Sequence, residues 1–339
     1  MLSSVRLVVF DDASRLEPIS DRPCVLVVGN FDGVHAGHQA VLRSVASEAR
    51  VSGLAAAVLT FTPHPAAAVK RAPPALLTTI GRRASLMDGV GIERVYVRKF
   101  DGAFAAWPAE RFVRELVVDT LQARRVVVGD GFRFGAGRRG DIRLLESLGI
   151  ELGFATRTHG VVGDRMGAFS STRVRSAIAE GDLAEARRLL TRPHALSGLV
   201  VHGEKRGRTI GFPTANLASV PEAVPPDGVY VSVVTEIDGR ATNAGEDVDR
   251  SARLLGGAVT NIGVRPTVGG ATRSIETYLL DHDEDLYGAH LRLHLLGRIR
   301  GEKAFPSLDA LKRQIALDVE DARRVLSVFD SCADGGFVP

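Results

Sequence analysis

The sequence predicts an α/β doubly wound, Rossmann-like domain followed by a small antiparallel β-barrel with a C-terminal helix. Three observations predict it. Apolar runs of strand length alternate with helical patterns through the first half of the chain. After Thr191–Ala195 the alternation stops, and apolar runs recur between Gly, Pro and Asp turns. A helical pattern returns at about 308–328 behind Ser307, a capping residue type. At 339 residues the chain is also long for one core, and about two domains is the ordinary expectation.

In chain order, Val25–Val28, Ala56–Phe61, Val95–Val97 and Val126–Val128 read as buried strands, with helices near 39–51, 109–119 and 142–148. Val41, Leu42, Val45 and Ala49 give the first helix one apolar face. Residues 173–190 read as two helices divided by Gly181, the second started by an Asp182/Glu185 capping box. Beyond the break, Leu199–His202, Val229–Thr235, Ala258–Ile262, Ile275–Leu280 and Leu291–Ile299 read as strands. Residues 236–256 are polar and glycine-bearing and read as a long hairpin excursion. The expected domains are 1–190 and 191–330, with 331–339 as a loose tail.

Composition narrows the function classes. Hydrophobic residues make up 45% and charged residues 24% of the chain, as in an ordinary globular protein. Forty-three basic against 40 acidic residues leave +3, and no basic block asks for a nucleic acid partner. Cys24 lies in an apolar strand and Cys332 in the tail, so neither a disulfide framework nor a cysteine metal site is expected. No apolar stretch reaches membrane-spanning length. The expectation is a cytoplasmic protein acting on small molecules, with association of identical chains left open.

The most informative segment runs from Val27 to His38. An apolar strand enters a turn bearing Gly29, Asn30, Phe31 and Gly33, and His35 and His38 follow into a helix. Glycines let the backbone approach a bulky anion, and a helix start offers N–H groups and a positive dipole end. Two imidazoles there can bond phosphate oxygens as charge develops on them. The competing reading is a zinc site or two turn histidines; no nearby cysteine or acidic run completes a ligand set.

Three more segments support nucleotide binding, the first two in loops beyond the carboxyl ends of strands. Phe61–Pro65 carries His64; Gly129–Gly135 carries Phe132, Arg133 and Phe134; Ser170, Ser171, Thr172 and Arg173 open a helix with hydroxyls and positive charge. In the second half, Gly203–Asn216 is a basic, glycine-bearing loop including Arg208 and Gly211. It ends in Pro213-Thr-Ala-Asn216, where Thr214 and Asn216 point the same way on an extended chain and reach one metal or phosphate.

These motifs resemble, in order, the bacterial bifunctional riboflavin kinase/FAD synthetase family. G-N-F-D-G-V-H-x-G-H, F-x-P-H-P, F-x-F-G and S-S-T-R-x-R are similar to its adenylyltransferase module. P-T-A-N, then Asn261 to Gly269 with Arg265, Glu276 on a strand, and Asp285-Leu-Tyr-Gly288 are similar to its riboflavin kinase module, a six-stranded barrel. The resemblance covers about residues 20–328.

The resemblance implies a multifunctional transferase using Mg²⁺, ATP, riboflavin and FMN. His35 and His38 would stabilise the transition state as FMN attacks the α-phosphate of ATP. Gly29, Asn30, Phe31, Gly33, Ser170, Ser171, Thr172 and Arg173 would bind ATP and the departing pyrophosphate, with Mg²⁺ bridging. In the barrel, Gly203, Arg208, Gly211, Pro213, Thr214 and Asn216 would bind ATP, with Thr214 and Asn216 on the metal. Glu276 would accept the proton of the riboflavin 5′-hydroxyl. His64, Phe132, Arg133, Phe134, Asn261 and Arg265 would contact flavin.

Thr62 stands where the family more often has an acidic residue, and Gly131 where Asn or Asp is usual. They motivate the alternative of a riboflavin kinase with a weak adenylyltransferase domain. A flavin- or nucleic-acid-binding regulator on a retired scaffold has no chemical need of His35, His38, Thr214, Asn216 and Glu276.

Overall fold

The computed structural model describes residues 5–10, 22–68, 73–203, 207, 210–237, 252–267 and 270–331. They fall into two compact units. The first contains the described residues up to Pro74 and Thr78–Ser171; the second contains Ala75–Leu77 and the described residues from Thr172 onward.

The first unit is built on six parallel strands: β1 (Arg6–Phe10), β2 (Cys24–Val28), β3 (Ala55–Thr62), β4 (Arg94–Lys99), β5 (Ala123–Gly129) and β6 (Ala155–His159). They lie in the order β1-β4-β3-β2-β5-β6. The four expected strands are its centre; the edges β1 and β6 are additions. β6 is polar (Ala155-Thr-Arg-Thr-His159) and gives no buried-strand signal, whereas β1 is an apolar run, Leu7-Val-Val-Phe10, that the expected strands did not include.

Successive residues of β2 face opposite ways into two cores: Leu26 and Val28 pack with Leu116, Val117 and Leu145, whereas Val25 and Val27 pack with Leu42, Val45 and Met87. Helix α1 (Ala36–Ser52) supplies the face expected of it and ends at Gly53, whose φ of 66° closes the helix. Short helices α2 (Pro65–Ala68), α4 (Gly102–Ala105) and α5 (Ala109–Arg111) and the longer α3 (Ile80–Asp88) and α6 (Ile142–Leu152) complete the layers. The helix expected at 109–119 leaves α-geometry at Phe112 and runs as a π-helix to Thr120. A ribbon of β7 (Gly163–Asp164) and β8 (Gly167–Ala168) precedes α7 (Ser171–Glu180) and α8 (Leu183–Leu190).

The expected capping box at Asp182 forms only in part. Asp182 accepts from Glu185 N–H at 2.9 Å, but the Asp182 N–H goes to Ala177 O at 2.8 Å. The Glu185 carboxylate turns instead to Arg188 and Arg173. An ion pair outbids a neutral N–H for that carboxylate.

The second unit contains a closed barrel: β9 (His194–Val201), β10 (Ala215–Ala218), β11 (Gly228–Ile237), β12 (Ala252–Thr267), β13 (Gly270–Leu279) and β14 (His290–Arg300). Its order is β10-β13-β12-β11-β14-β9. Alternate residues such as Leu196, Leu217, Tyr230, Ile262, Ile275 and Leu293 fill the interior. The other parity at Val229, Val231 and Val259 packs outward on Ala322, Val319 and Leu326 of helix α9 (Leu308–Ser331). Ser307 Oγ accepts from Ala310 N–H at 3.2 Å, the cap expected of it. The 236–256 excursion lies mostly outside the described residues; its flanks pair as Ile237 with Ala252. The chain break read at 191–195 is shorter than expected, because His194 already pairs with Leu295.

Candidate active sites

In the first unit the loop after β2 is bent by positive φ at Phe31 (49°), Gly33 (86°) and Val34 (40°). Such backbone is costly for residues with a Cβ, most of all for β-branched Val34, and needs support from around it. A buried ion pair gives it. Asp32 Oδ1 accepts from Arg83 Nη2 at 3.1 Å, both side chains being under 5% exposed, and from Thr78 N–H at 3.1 Å. Arg83 Nη1 and the Thr60 hydroxyl both donate to Asn30 O, at 2.9 and 3.0 Å. Gly33 N–H donates to Thr78 Oγ1 at 3.1 Å, and the Ser171 hydroxyl donates to Asp32 O at 2.8 Å.

His35 sits on this platform as the N-cap of α1, its Nδ1 accepting from His38 N–H at 3.3 Å. In a neutral ring that leaves the proton on Nε2. The His35 and His38 rings stack with centroids 3.5 Å apart, and Phe31 meets His38 edge-on at 5.1 Å. A Cβ on Gly37 would come within 3.3 Å of the His35 ring, so a glycine suits the stack. From the loop after β3, His64 Nε2 lies 3.0 Å from Asn30 Nδ2, while His64 Nδ1 accepts from Ala66 N–H at 3.1 Å. The structure thus pairs His35 with His38 and Asn30 with His64, beyond the carboxyl ends of adjacent strands.

The other candidates of this unit are placed differently. Phe134 is buried and stacks on Phe132 at 5.4 Å within an aromatic core that includes Phe112. Arg133 is exposed, 3.4 Å from Asp141. Thr172 is exposed, and Arg173, in the second unit, is paired with Glu185 at 2.8 Å.

In the second unit, register creates the site. Asn216 of β10 pairs with Glu276 of β13, and Glu276 pairs with Asn261 of β12. Directly opposed residues point to the same side of a sheet, so three polar side chains stand in a row on the outer face of the barrel. Thr214 Oγ1 donates to Glu276 Oε2 at 3.4 Å. A Cβ on Gly203 would lie 2.5 Å from Asn216 Nδ2, so the glycine makes room for that carboxamide.

Thr214, Asn261 and Glu276 line a cavity of about 600 Å³, whose apolar wall includes Phe212, Val229, Val259, Tyr278 and Phe305. Phe212 and Tyr278 meet edge to face at 5.4 Å. On the other side of Thr214 a cavity of about 270 Å³ is lined by Pro213, His282, Asp285 and Tyr287. Arg208 and the Arg265 side chain lie outside what the structure describes; Gly211 is an exposed turn residue with φ 89°.

Residues 17–173 match the FAD synthetase family, and residues 190–326 match the riboflavin kinase family. The bifunctional riboflavin kinase/FMN adenylyltransferase of Escherichia coli (strain K12) is 44% identical over 305 residues, 88% of this chain and 92% of its own. This chain belongs to that bifunctional family. The Bacillus subtilis (strain 168) member is 34% identical, with 89% of this chain and 92% of its own covered. A crystal structure described as a macrolide-efflux protein from Streptococcus pneumoniae superposes with a TM-score of 0.78 at 30% identity, over 94% of this chain and 98% of that one. No helix among the described residues of this family member is long and apolar enough to cross a membrane.

The barrel residues suit the cation that the family resemblance implies. Mg²⁺ is a hard cation that takes oxygen ligands and keeps waters and substrate phosphates. The Thr214 hydroxyl and the Asn216 carboxamide offer oxygen donors of that kind beside the Glu276 carboxylate. Sequence reasoning missed Asp32, Thr78 and Arg83 as the support of the histidine loop. No local signal marks them, since 51 residues separate the ion pair. It also missed the cavity wall at Arg300–Phe305, where only the Arg-Gly-Glu-Lys-Ala-Phe run after β14 hints at more than a surface turn.

Proposed function

We propose that the barrel phosphorylates riboflavin at Glu276 and that the parallel-sheet unit adenylylates FMN at the His35/His38 pair. The chain is a riboflavin kinase and an FMN adenylyltransferase, forming FMN and ADP, then FAD and pyrophosphate. The observation that carries the residue assignment is the Asn216–Glu276–Asn261 row, which meets Thr214 at the mouth of the larger cavity. Glu276 accepts the proton of the flavin side-chain hydroxyl, and the apolar wall takes the ring system. Thr214 and Asn216 hold Mg²⁺, which when bound neutralises charge on the phosphates. Asn261 and Arg265 contact the flavin; Gly203, Arg208, Gly211 and Pro213 shape the ATP side.

In the other unit, His35 and His38 donate to phosphate oxygens as negative charge builds on them. Asn30 and His64 orient the incoming nucleotide, with Gly29, Phe31 and Gly33 forming the loop. Ser170, Ser171, Thr172 and Arg173 receive the pyrophosphate, Arg173 exchanging Glu185 for phosphate. The functional boundary of this proposal is 190/191, and a riboflavin kinase match that starts at residue 190 supports it. A cytoplasmic location, where ATP is supplied, belongs to the same proposal.

Purified protein incubated with riboflavin, ATP and Mg²⁺ tests it by chromatography. Transient FMN followed by FAD is the expected course. FMN accumulating without FAD favours the weak-adenylyltransferase alternative that Thr62 and Gly131 motivate. A His35→Ala/His38→Ala variant that still made FAD at the parent rate would remove the pair from the mechanism.

A further inference from the structure

The cavity that holds Glu276 has one wall that is neither strand nor helix. Between the end of β14 at Arg300 and the start of α9 at Leu308 the chain is irregular, and Glu302, Lys303, Ala304 and Phe305 face the cavity from it. Such a stretch has no backbone ladder to fix it. Its two flanks are instead joined by one ion pair. Arg300 donates from Nε to Asp318 Oδ1 at 2.9 Å and from Nη2 to Asp318 Oδ2 at 2.7 Å, a two-pronged contact.

Asp318 lies well inside α9 and is 2% exposed, and Gln314 Nε2 also donates to it at 3.0 Å. A carboxylate so buried requires its partner, so the helix and the strand end are held at a fixed separation. The same guanidinium donates to Gly301 O at 3.0 Å and sits 5.6 Å over the Phe305 ring, with Lys303 Nζ at 5.9 Å. One side chain therefore sets the start of the wall, its aromatic member and its link to the helix. Gly263 leaves space on β12 for the Glu302 carboxylate, which a Cβ there would meet at 1.9 Å.

We propose that Asp318 is a positioning residue for flavin binding: by gripping Arg300 it fixes the Gly301–Phe305 wall against which the ring system packs. This rests on the reading that the larger cavity takes riboflavin. The groups assigned to chemistry stand elsewhere, Glu276 and Asn261 on paired strands and Thr214 beside β10, where the barrel ladder holds them without the ion pair. Loosening the wall weakens flavin binding and spares the phosphoryl-transfer step.

The test measures riboflavin and ATP kinetics of the full chain for Asp318→Asn and Arg300→Lys, with riboflavin binding by fluorescence. Arg300→Lys keeps the charge and loses the fork, and it decides the matter if Asp318→Asn does not fold. The expected result is a rise in riboflavin KM and Kd of roughly tenfold or more in both variants, with kcat and the KM for ATP near the parent values. A lowered Tm with unchanged riboflavin KM makes the pair a scaffold contact and overturns the proposal. A fall in kcat at unchanged KM overturns it too, by placing Arg300 at the phosphoryl group. Failure of the underlying reading is distinct: the parent protein then forms no FMN.

Discussion

Glu276 shows how a single carboxylate acquires a role from its neighbours. On an isolated strand it is a solvent-facing residue; opposed by Asn216 and Asn261 and bonded by Thr214, it stands at a cavity mouth. Glu276→Gln keeps the shape and removes the base, so FMN formation is expected to fall by roughly a hundredfold or more, read as kcat in a riboflavin kinase assay. Glu222 is the opposite case, a buried acid away from that cavity. It accepts from Ser197 N–H at 3.1 Å, and burial pushes its carboxyl up to about 7, partly opposed by Ser197 and Arg292. The folded protein thus holds this proton more tightly than the unfolded chain does. That stabilisation is complete below the ordinary value of 4.5 and is lost as the pH rises through about 7. Its loss costs up to about 1.4 kcal/mol per pH unit within that window. Denaturant titrations of Glu222→Gln between those limits are expected to show a flatter pH dependence than the parent; equal slopes would assign the titration elsewhere. Cys24, pushed up to about 12 by burial, is an inert thiol of the core.

Among elements, the loop between β2 and α1 is the one whose shape is imposed from outside. Its positive φ values at Phe31 and Val34 persist because Asp32 is locked to Arg83 and Thr78. Asp32→Asn leaves the Arg83 charge buried without its counter-ion, a change that costs about 3–5 kcal/mol in comparable buried pairs. A loss of that size by denaturant unfolding, with FAD synthesis abolished, is the expected outcome; a stable variant with parent activity would show that the loop holds itself. The barrel strands carry their own instructions. β12 and β13 pair without a break from Ala258–Leu279 to Thr267–Gly270, and the buried Thr260 and Thr277 hydroxyls meet at 3.0 Å inside the barrel. That contact pins the register that sets Asn261 opposite Glu276.

At the scale of the whole molecule, two units with separate cores predict unfolding that is not a single two-state step. Calorimetry is expected to give a van't Hoff enthalpy below the calorimetric one. A ligand that binds only the folded barrel stabilises it by about 2.7 kcal/mol at a hundred times its Kd. Saturating riboflavin with ADP and Mg²⁺ is therefore expected to raise one component of the melt and leave the other near its original temperature. A single component that moves as one would show the two units to be coupled.

What was legible in the sequence follows from local chemistry. Apolar runs gave the central strands, the 3.6-residue period gave α1, Ser307 gave the start of α9, and dense motifs gave the family. Those signals depend on neighbours in sequence, so composition and spacing carry them. The polar edge strand β6 and the π-geometry after Phe112 left no such trace. Tertiary structure alone decided which distant side chains meet: Asp32 with Arg83, the row from Asn216 to Asn261, and Arg300 with Asp318. These contacts depend on strand register, on the closure of the barrel and on where burial leaves a charge needing a partner. No run of consecutive residues encodes them.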